Sequence, residues 1–138
     1  MINPLQINNG AGLMAWMGGL ACDAVLAVTG WLANGLPLTI ANFSLVAIEY
    51  PVRAGTLRRL RVFVASNTSI TATTVVLTIS GAPTVLTVLV GAGLTGVFND
   101  FVNTVPTIEG NQLGCQVVSA AGGGAVAGLT LFVTCELV

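Results

Sequence analysis

The sequence has no histidine and no lysine, and charge of either sign is sparse: four basic and five acidic residues in 138, 7% of the chain, for a net charge of −1. Without histidine, neither a Ser-His-Asp nor a Cys-His arrangement can be assembled. The carboxylates Asp23, Glu49, Asp100, Glu109 and Glu136 are scattered and do not suggest the flanking pair that glycoside hydrolysis needs. The glycine-rich stretches GAGLTG and AGGGAVAG lack the Gly-Lys-Ser/Thr element of a phosphate-binding loop. The expectation is a protein that is not an enzyme, with no catalytic residue and no cofactor. All four basic residues fall between Arg53 and Arg61, too short a span for a track along nucleic acid, so no nucleic-acid partner is expected. The three cysteines, Cys22, Cys115 and Cys135, form no Cys-x-x-Cys pair, and no metal site is expected. They suit small buried hydrophobes in a reduced, cytoplasmic setting. A Cys115–Cys135 bridge would require the last two strands to bring them together.

The absence of Lys or Arg before Arg53 bears on the one long apolar run, LMAWMGGLACDAVLAVTGWLA, Leu13 to Ala33. A cleaved leader needs a positive start, and a membrane span usually has Lys/Arg asymmetry in its flanks. Asp23 at mid-bilayer would cost roughly 2.5–3.5 kcal/mol. Gly18, Gly19 and Gly30 interrupt the run, Asn34-Gly35 and Pro37 close it, and no second run of that length follows. The reading is therefore an N-terminal arm over residues 1–35, lying on a partner subunit, ahead of a β domain over 36–138. Insertion in a membrane through residues 13–33 is the alternative. Trp16 and Trp31 are candidate contact residues, because large aromatics dominate interface energetics; they are equally suited to filling the domain's own core.

What is abundant is apolar residues, 54% of the chain. A folded monomer of this mass exposes on the order of 6,700 Å². So little charge over such an area implies that part of the surface is covered by lipid or by other protein.

After residue 35 the pattern is that of strands and turns. Leu36–Ile40 reads as a short strand, and FSLVAIEY alternates until Pro51. In GTLRRLRVFVAS, Leu60, Val62 and Val64 point one way and Arg59, Arg61 and Phe63 the other. ITATTVVLTIS is β-branched almost throughout, with Val75, Leu77 and Ile79 on one face. The turn SGAP joins Thr71–Ile79 to Thr84–Val90 as a hairpin. GAGLTGVFND reads as a longer loop, Glu109-Gly110-Asn111 as a turn between two short strands, and AGGGAVAG as a flexible connection. LTLFVTCELV closes the chain, with Leu129, Leu131, Val133, Cys135 and Leu137 on one face and Thr130, Phe132, Thr134 and Glu136 on the other. About eight short strands without helical period predict an all-β chain, an antiparallel β-sandwich of jelly-roll type.

From Gly55 onward, the basic strand AGTLRRLRVFVAS, the turn SGAP, the strand TVLTVLVG, the segment FNDFVNTVPTIEGNQLGCQV and the closing LTLFVTCEL follow in an order that resembles small viral jelly-roll domains. The likeness is to the capsid decoration, or cement, proteins of tailed phages, with a TNF-like or related jelly roll. Those proteins carry a basic L-x-x-L-x-V strand, a V-N-G-x-x-T-x-L-T-V hairpin and a G-D-x-(I/L) turn. Here the hairpin turn is Ser80-Gly81-Ala82-Pro83 in place of Asn-Gly, and Asn111 stands where the turn aspartate would be. The resemblance implies a virion protein on the outer surface of a capsid, assembled in the host cytoplasm. It further implies a homodimer or homotrimer bound to the major capsid protein. A phage spike or fibre module that binds glycans is the alternative within the same fold, with Tyr50, Phe98 and Phe101 as its available aromatics.

The arginines are the polar feature that needs a partner, since Arg58, Arg59 and Arg61 cannot all be buried without carboxylates. On the outer face of the strand, Arg59 and Arg61 suit acidic groups of a neighbouring subunit. A solvated strand edge that discourages aggregation is the plainer explanation. The candidate protein-interface residues are Trp16, Trp31, Arg59, Arg61 and Phe63.

Overall fold

The computed structural model describes residues 12–22, 28–34, 43–44, 49–119 and 127–138. Among them the regular structure is entirely β: β1 (Gly12–Cys22), β2 (Val28–Asn34), β3 (Phe43–Ser44), β4 (Glu49–Pro51), β5 (Gly55–Asn67), β6 (Thr73–Ile79), β7 (Ala82–Val90), β8 (Gly96–Thr107), β9 (Gln112–Ser119) and β10 (Ala127–Leu137). The chain is all-β, and every pairing is antiparallel.

The pairing is nested around one hairpin. β6 and β7 turn back on each other through Ser80-Gly81, both with positive φ (48° and 83°). This is the combination that a two-residue hairpin turn requires and that glycine supplies without strain. The turn is thus two residues long, and Ala82 and Pro83 of the expected SGAP turn already belong to β7. Outside this hairpin β5 pairs with β8, then β2 with β9, then β1 with β10. Two further pairings, β6 with β9 and β5 with β10, complete sheets of order β1-β10-β5-β8 and β2-β9-β6-β7. The short strands β4 and β3 add to β9 and β2. The two sheets join where Trp16 and Met17 pair with Asn34 and Ala33.

The sheets face each other across one core. Leu57, Leu60, Val62 and Val64 of β5 and Leu131, Val133, Cys135 and Leu137 of β10 meet Val75 and Leu77 of β6, Leu86, Val88 and Val90 of β7, and Leu113, Cys115 and Val117 of β9. Alternation along β5, β7 and β10 follows the period of two that the sequence displays. β6 departs from it: Val76 and Thr78 are buried as well as Val75 and Leu77.

Several expectations change. The segment expected as an arm over residues 1–35 contributes β1 and β2, and β1 pairs along its whole length with β10, from Gly12 opposite Leu137 to Cys22 opposite Ala127. Such a strand satisfies its backbone groups within the sheet, so residues 12–22 and 28–34 belong to the sandwich rather than preceding it. Residues 1–11 lie outside the described residues, as do the expected strand 36–40 and residues 121–126 of the expected connection AGGGAVAG, whose last two residues, Ala127 and Gly128, belong to β10. Of the strand expected over FSLVAIEY, 43–44 and 49–50 are strand and 45–48 lie outside the described residues. The loop expected at GAGLTGVFND is confined to 91–95, because β8 begins at Gly96.

Cys115 and Cys135 are free thiols with no exposed surface. Burial pushes the Cys115 thiol well up, and Cys135 beside it adds to the effect. Burial, then the charge of Glu136, pushes Cys135 up as well. Both thiols are therefore expected to resist a thiol reagent at pH 8 in the native protein and to react fully in denaturant, as read by peptide mass mapping. Removal of residues 1–35 takes away β1 and β2, leaving β10 and β9 each short of a neighbour. The truncated chain is expected to lose its cooperative thermal transition by circular dichroism, whereas an appended arm would leave that transition intact.

Candidate contact face on the outer side of the β5 sheet

Leu57 and Leu60 are three positions apart, a spacing that sends side chains to opposite faces of a regular strand. Both are fully buried. An irregularity at Arg59 reconciles the two facts. Between Arg61 and Arg58, β5 advances three residues while β10 advances two, from Thr134 to Glu136. Arg59 takes a left-handed φ of 54°, uncommon outside glycine. β8 answers with a bulge of its own: Arg58 stands opposite Thr104 and Leu60 opposite Asp100, so Phe101, Val102 and Asn103 lie across from Arg59 alone.

Asp100 holds that bulge. The residue is 9% exposed. Oδ1 accepts the backbone N–H of Val102 (3.2 Å) and of Asn103 (3.1 Å), and Oδ2 accepts the Asn103 amide (2.8 Å) and the N–H of Thr87 on β7 (3.4 Å). Burial by itself would raise the pKa of this acid. The hydrogen bonds from the Asn103 side chain and from the backbone of Asn103, Val102 and Thr87 outweigh it and hold the carboxyl below its ordinary value.

The bulge turns Phe101 and Val102 outward, 47% and 89% exposed. The guanidinium of Arg61 lies 5.4 Å from the centre of the Phe101 ring, within cation–π range. On the other side of β5, register sets Phe132 opposite Phe63 and Thr134 opposite Arg61. Glu136 Oε2 accepts from Arg58 Nε at 3.0 Å, and its Oε1 from Arg59 Nη1 at 3.5 Å. These groups are partly exposed, so the pairs orient the side chains and add little stability, roughly 0–1 kcal/mol each. Arg59, Arg61, Phe63, Phe101, Phe132, Thr134 and Glu136 together line an open cleft of about 360 Å³.

Of the residues singled out in the sequence, Arg59, Arg61 and Phe63 come together here. Trp31 does not. It sits on β2 between Gln116 and Ser44, and at 7% exposed it is covered by the chain itself. Trp16 stands in β1 opposite Val133 and Asn34, one register position from Phe132 and Thr134 of the cleft. Tyr50 and Phe98, two of the three aromatics weighed for glycan stacking, pack against the core and leave Phe101. Phe132, Glu136 and Asp100 are not among the candidate site residues read from the sequence, and Phe101 is there only as an aromatic for glycan stacking. The outward set Phe132, Thr134 and Glu136 was visible in LTLFVTCELV, but not its adjacency to β5. The signals for the bulge are the leucines three apart and the Asp100/Asn103 pair within the strand GVFNDFVNTVPT. Among the described residues no group of three His, Cys, Asp or Glu could hold a metal ion. No helix among them is long and apolar enough to cross a membrane.

No protein-family model matches the chain, and no curated protein matches it.

The depressed pKa of Asp100 carries a sign. Its contribution to stability is present above the unfolded value, about 3.9, and is lost as pH falls through the lower folded value. Urea unfolding followed from pH 7 down to 2.5 is expected to show this decline, and Asp100→Asn to flatten it. Asp100→Ala at pH 7 leaves backbone N–H groups without an acceptor and is expected to cost about 1–3 kcal/mol.

Proposed function

We propose that this chain is a structural protein of a virion, a capsid decoration or cement protein with a jelly-roll fold, which binds the assembled head shell from outside and stabilises it. The observation that carries the reading is the nested strand pairing, β6 with β7, β5 with β8, β2 with β9 and β1 with β10. Such nesting around one hairpin, with partners divided between two sheets, is what a jelly roll would display, and it supports the reading. The resemblance from Gly55 onward points to the same class of viral domain.

The surface supports it. Four basic and five acidic residues share an accessible surface of 6624 Å². Phe63, Val97, Phe101 and Val102 stand exposed on β5 and β8. An apolar face with a few arginines is what a lasting protein contact uses, with aromatics and Arg enriched at its centre. The partners of this reading are the major capsid protein and further copies of the chain. Stabilisation follows from mass action: a protein that binds the assembled lattice and not the free subunits draws the equilibrium toward the shell, by about 2.7 kcal/mol per site at a hundredfold excess over Kd. A spike or fibre module that holds a glycan is the competing reading, and the cleft of three phenylalanines with Arg59 and Arg61 is the feature that favours it.

The test is co-sedimentation of the purified protein with empty shells of the virus that encodes it. Saturable binding and a higher shell melting temperature are expected, and Phe101→Ser with Val102→Ser should weaken both at least tenfold. Protein that stays in the supernatant, with a response to a glycan panel instead, would sink the decoration reading in favour of the competing one.

A further inference from the structure

Most charges of the described residues have a partner; Arg53, between β4 and β5, forms no ion pair among them and keeps one buried guanidinium nitrogen without a hydrogen bond. Glu49 accepts from the N–H of Gly81 (2.6 Å) and from the Thr78 hydroxyl (3.5 Å). Asp100 is taken up by the bulge and Glu136 by Arg58 and Arg59. Among the described residues this leaves one carboxylate with no hydrogen bond or ion pair, Glu109, exposed at the tip of the turn between β8 and β9. On the outer face of the β5 sheet it leaves one exposed guanidinium without a carboxylate, Arg61, resting on Phe101.

Each sits among exposed apolar groups. Beside Glu109 is Ile108, 67% exposed. Beside Arg61 are Phe63 and Phe101, 46% and 47% exposed, at the cleft. The tip is pre-organised: Asn111 Oδ1 accepts the N–H of Ile108 at 2.9 Å, the N–H of Asn111 donates to the Ile108 carbonyl at 3.1 Å, and Gly110 takes a φ of 92° that favours glycine. A rigid knob of one apolar side chain and one carboxylate therefore has its complement in a cleft of three phenylalanines where Arg59 is paired with Glu136 and Arg61 has no carboxylate. The two do not meet within one molecule. Arg61 lies six positions along β5 from Gly55, which pairs with Thr107 beside the turn, a separation of about 20 Å at ~3.3 Å per residue.

We propose that the Ile108–Glu109 tip of one copy seats in the Arg61, Phe63 and Phe101 cleft of a second copy. The contact is end to face, so it is heterologous, and it builds a ring where the rotation closes. A face-to-face pair of the same sheets is disfavoured, because Arg58, Arg59 and Arg61 outnumber Glu136 and two such faces would set like charges together. The proposal rests on the self-association contained in the decoration reading and identifies its surfaces.

The test is light scattering of the full chain without shells, with circular dichroism of each variant. The wild type is expected as a discrete multiple of 14.0 kDa. Arg61→Glu and Glu109→Arg are each expected to fall to the protomer mass with unchanged circular dichroism, and the double exchange to recover the multiple. Ile108→Ser, which leaves every charge in place, should weaken association at least tenfold. A monomeric wild type, single variants that keep the oligomer, or a folded double variant that stays monomeric would overturn the contact. Recovery by the double exchange upholds it even where shells are not bound. A monomer that still binds shells overturns the contact alone and leaves the decoration reading standing.

Discussion

Three backbone N–H groups and one side-chain amide converge on the carboxylate of Asp100, and the outer face of the β5 sheet is arranged around that convergence. The need for it begins in β5, which delivers two leucines three positions apart to one core and so must absorb an irregular residue. Arg59 absorbs it at a left-handed φ. The neighbouring strand then cannot run straight past, and its extra residues leave backbone donors that a regular ladder would have satisfied. An ionised acid, itself short of water, gathers those donors and ties the bulge to Thr87 across the seam between the sheets. The exposed Phe101 and Val102 are the residues that the bulge pushes out, so a core requirement in one strand determines what the next strand presents to its surroundings.

How much of this was written legibly in the chain depends on the range of the interactions concerned. Alternation in GTLRRLRVFVAS and LTLFVTCELV told inward from outward residues correctly, because that pattern is local to a strand. The β6–β7 hairpin and the turn at Glu109-Gly110-Asn111 were legible for the same reason. The opening run reads as an arm when composition is weighed ahead of pairing. A strand among other strands can be apolar with few charges, much as a membrane span or an arm can, and what distinguishes it is a partner more than a hundred positions away. The cleft was half legible. Arg59, Arg61 and Phe63 stood out on one strand, but Phe132 and Phe101 join them only through the order β10-β5-β8, which no local pattern encodes.

The sparse charge acquires a definite meaning once each group is located. Glu49 stitches β4 to the β6–β7 turn, Glu136 steadies two arginines and Asp100 shapes β8, so few charges remain for water or for a partner. Of those that remain unpaired, Arg61 stands midway along β5 and Glu109 at the turn after β8, each beside exposed apolar side chains, and Arg53 is partly covered between β4 and β5. A surface so economical in charge is poorly protected against indiscriminate sticking, and its specificity has to come from where the few charges stand.

The pairing of β1 with β10 also governs the order in which the molecule can form. With Gly12 opposite Leu137, the outermost pair closes the longest loop among the described strand pairs, while the β6–β7 hairpin closes the shortest. Loop-closure entropy then favours assembly from the central hairpin outward, in a topology of high contact order that folds slowly for its size. On the ribosome, β1 and β2 are synthesised first yet wait longest for their partners, because β9 and β10 emerge last. During that interval two apolar strands have no sheet to join, which makes the nascent chain a natural client for a chaperone and sets a lower limit on the time before a finished subunit exists.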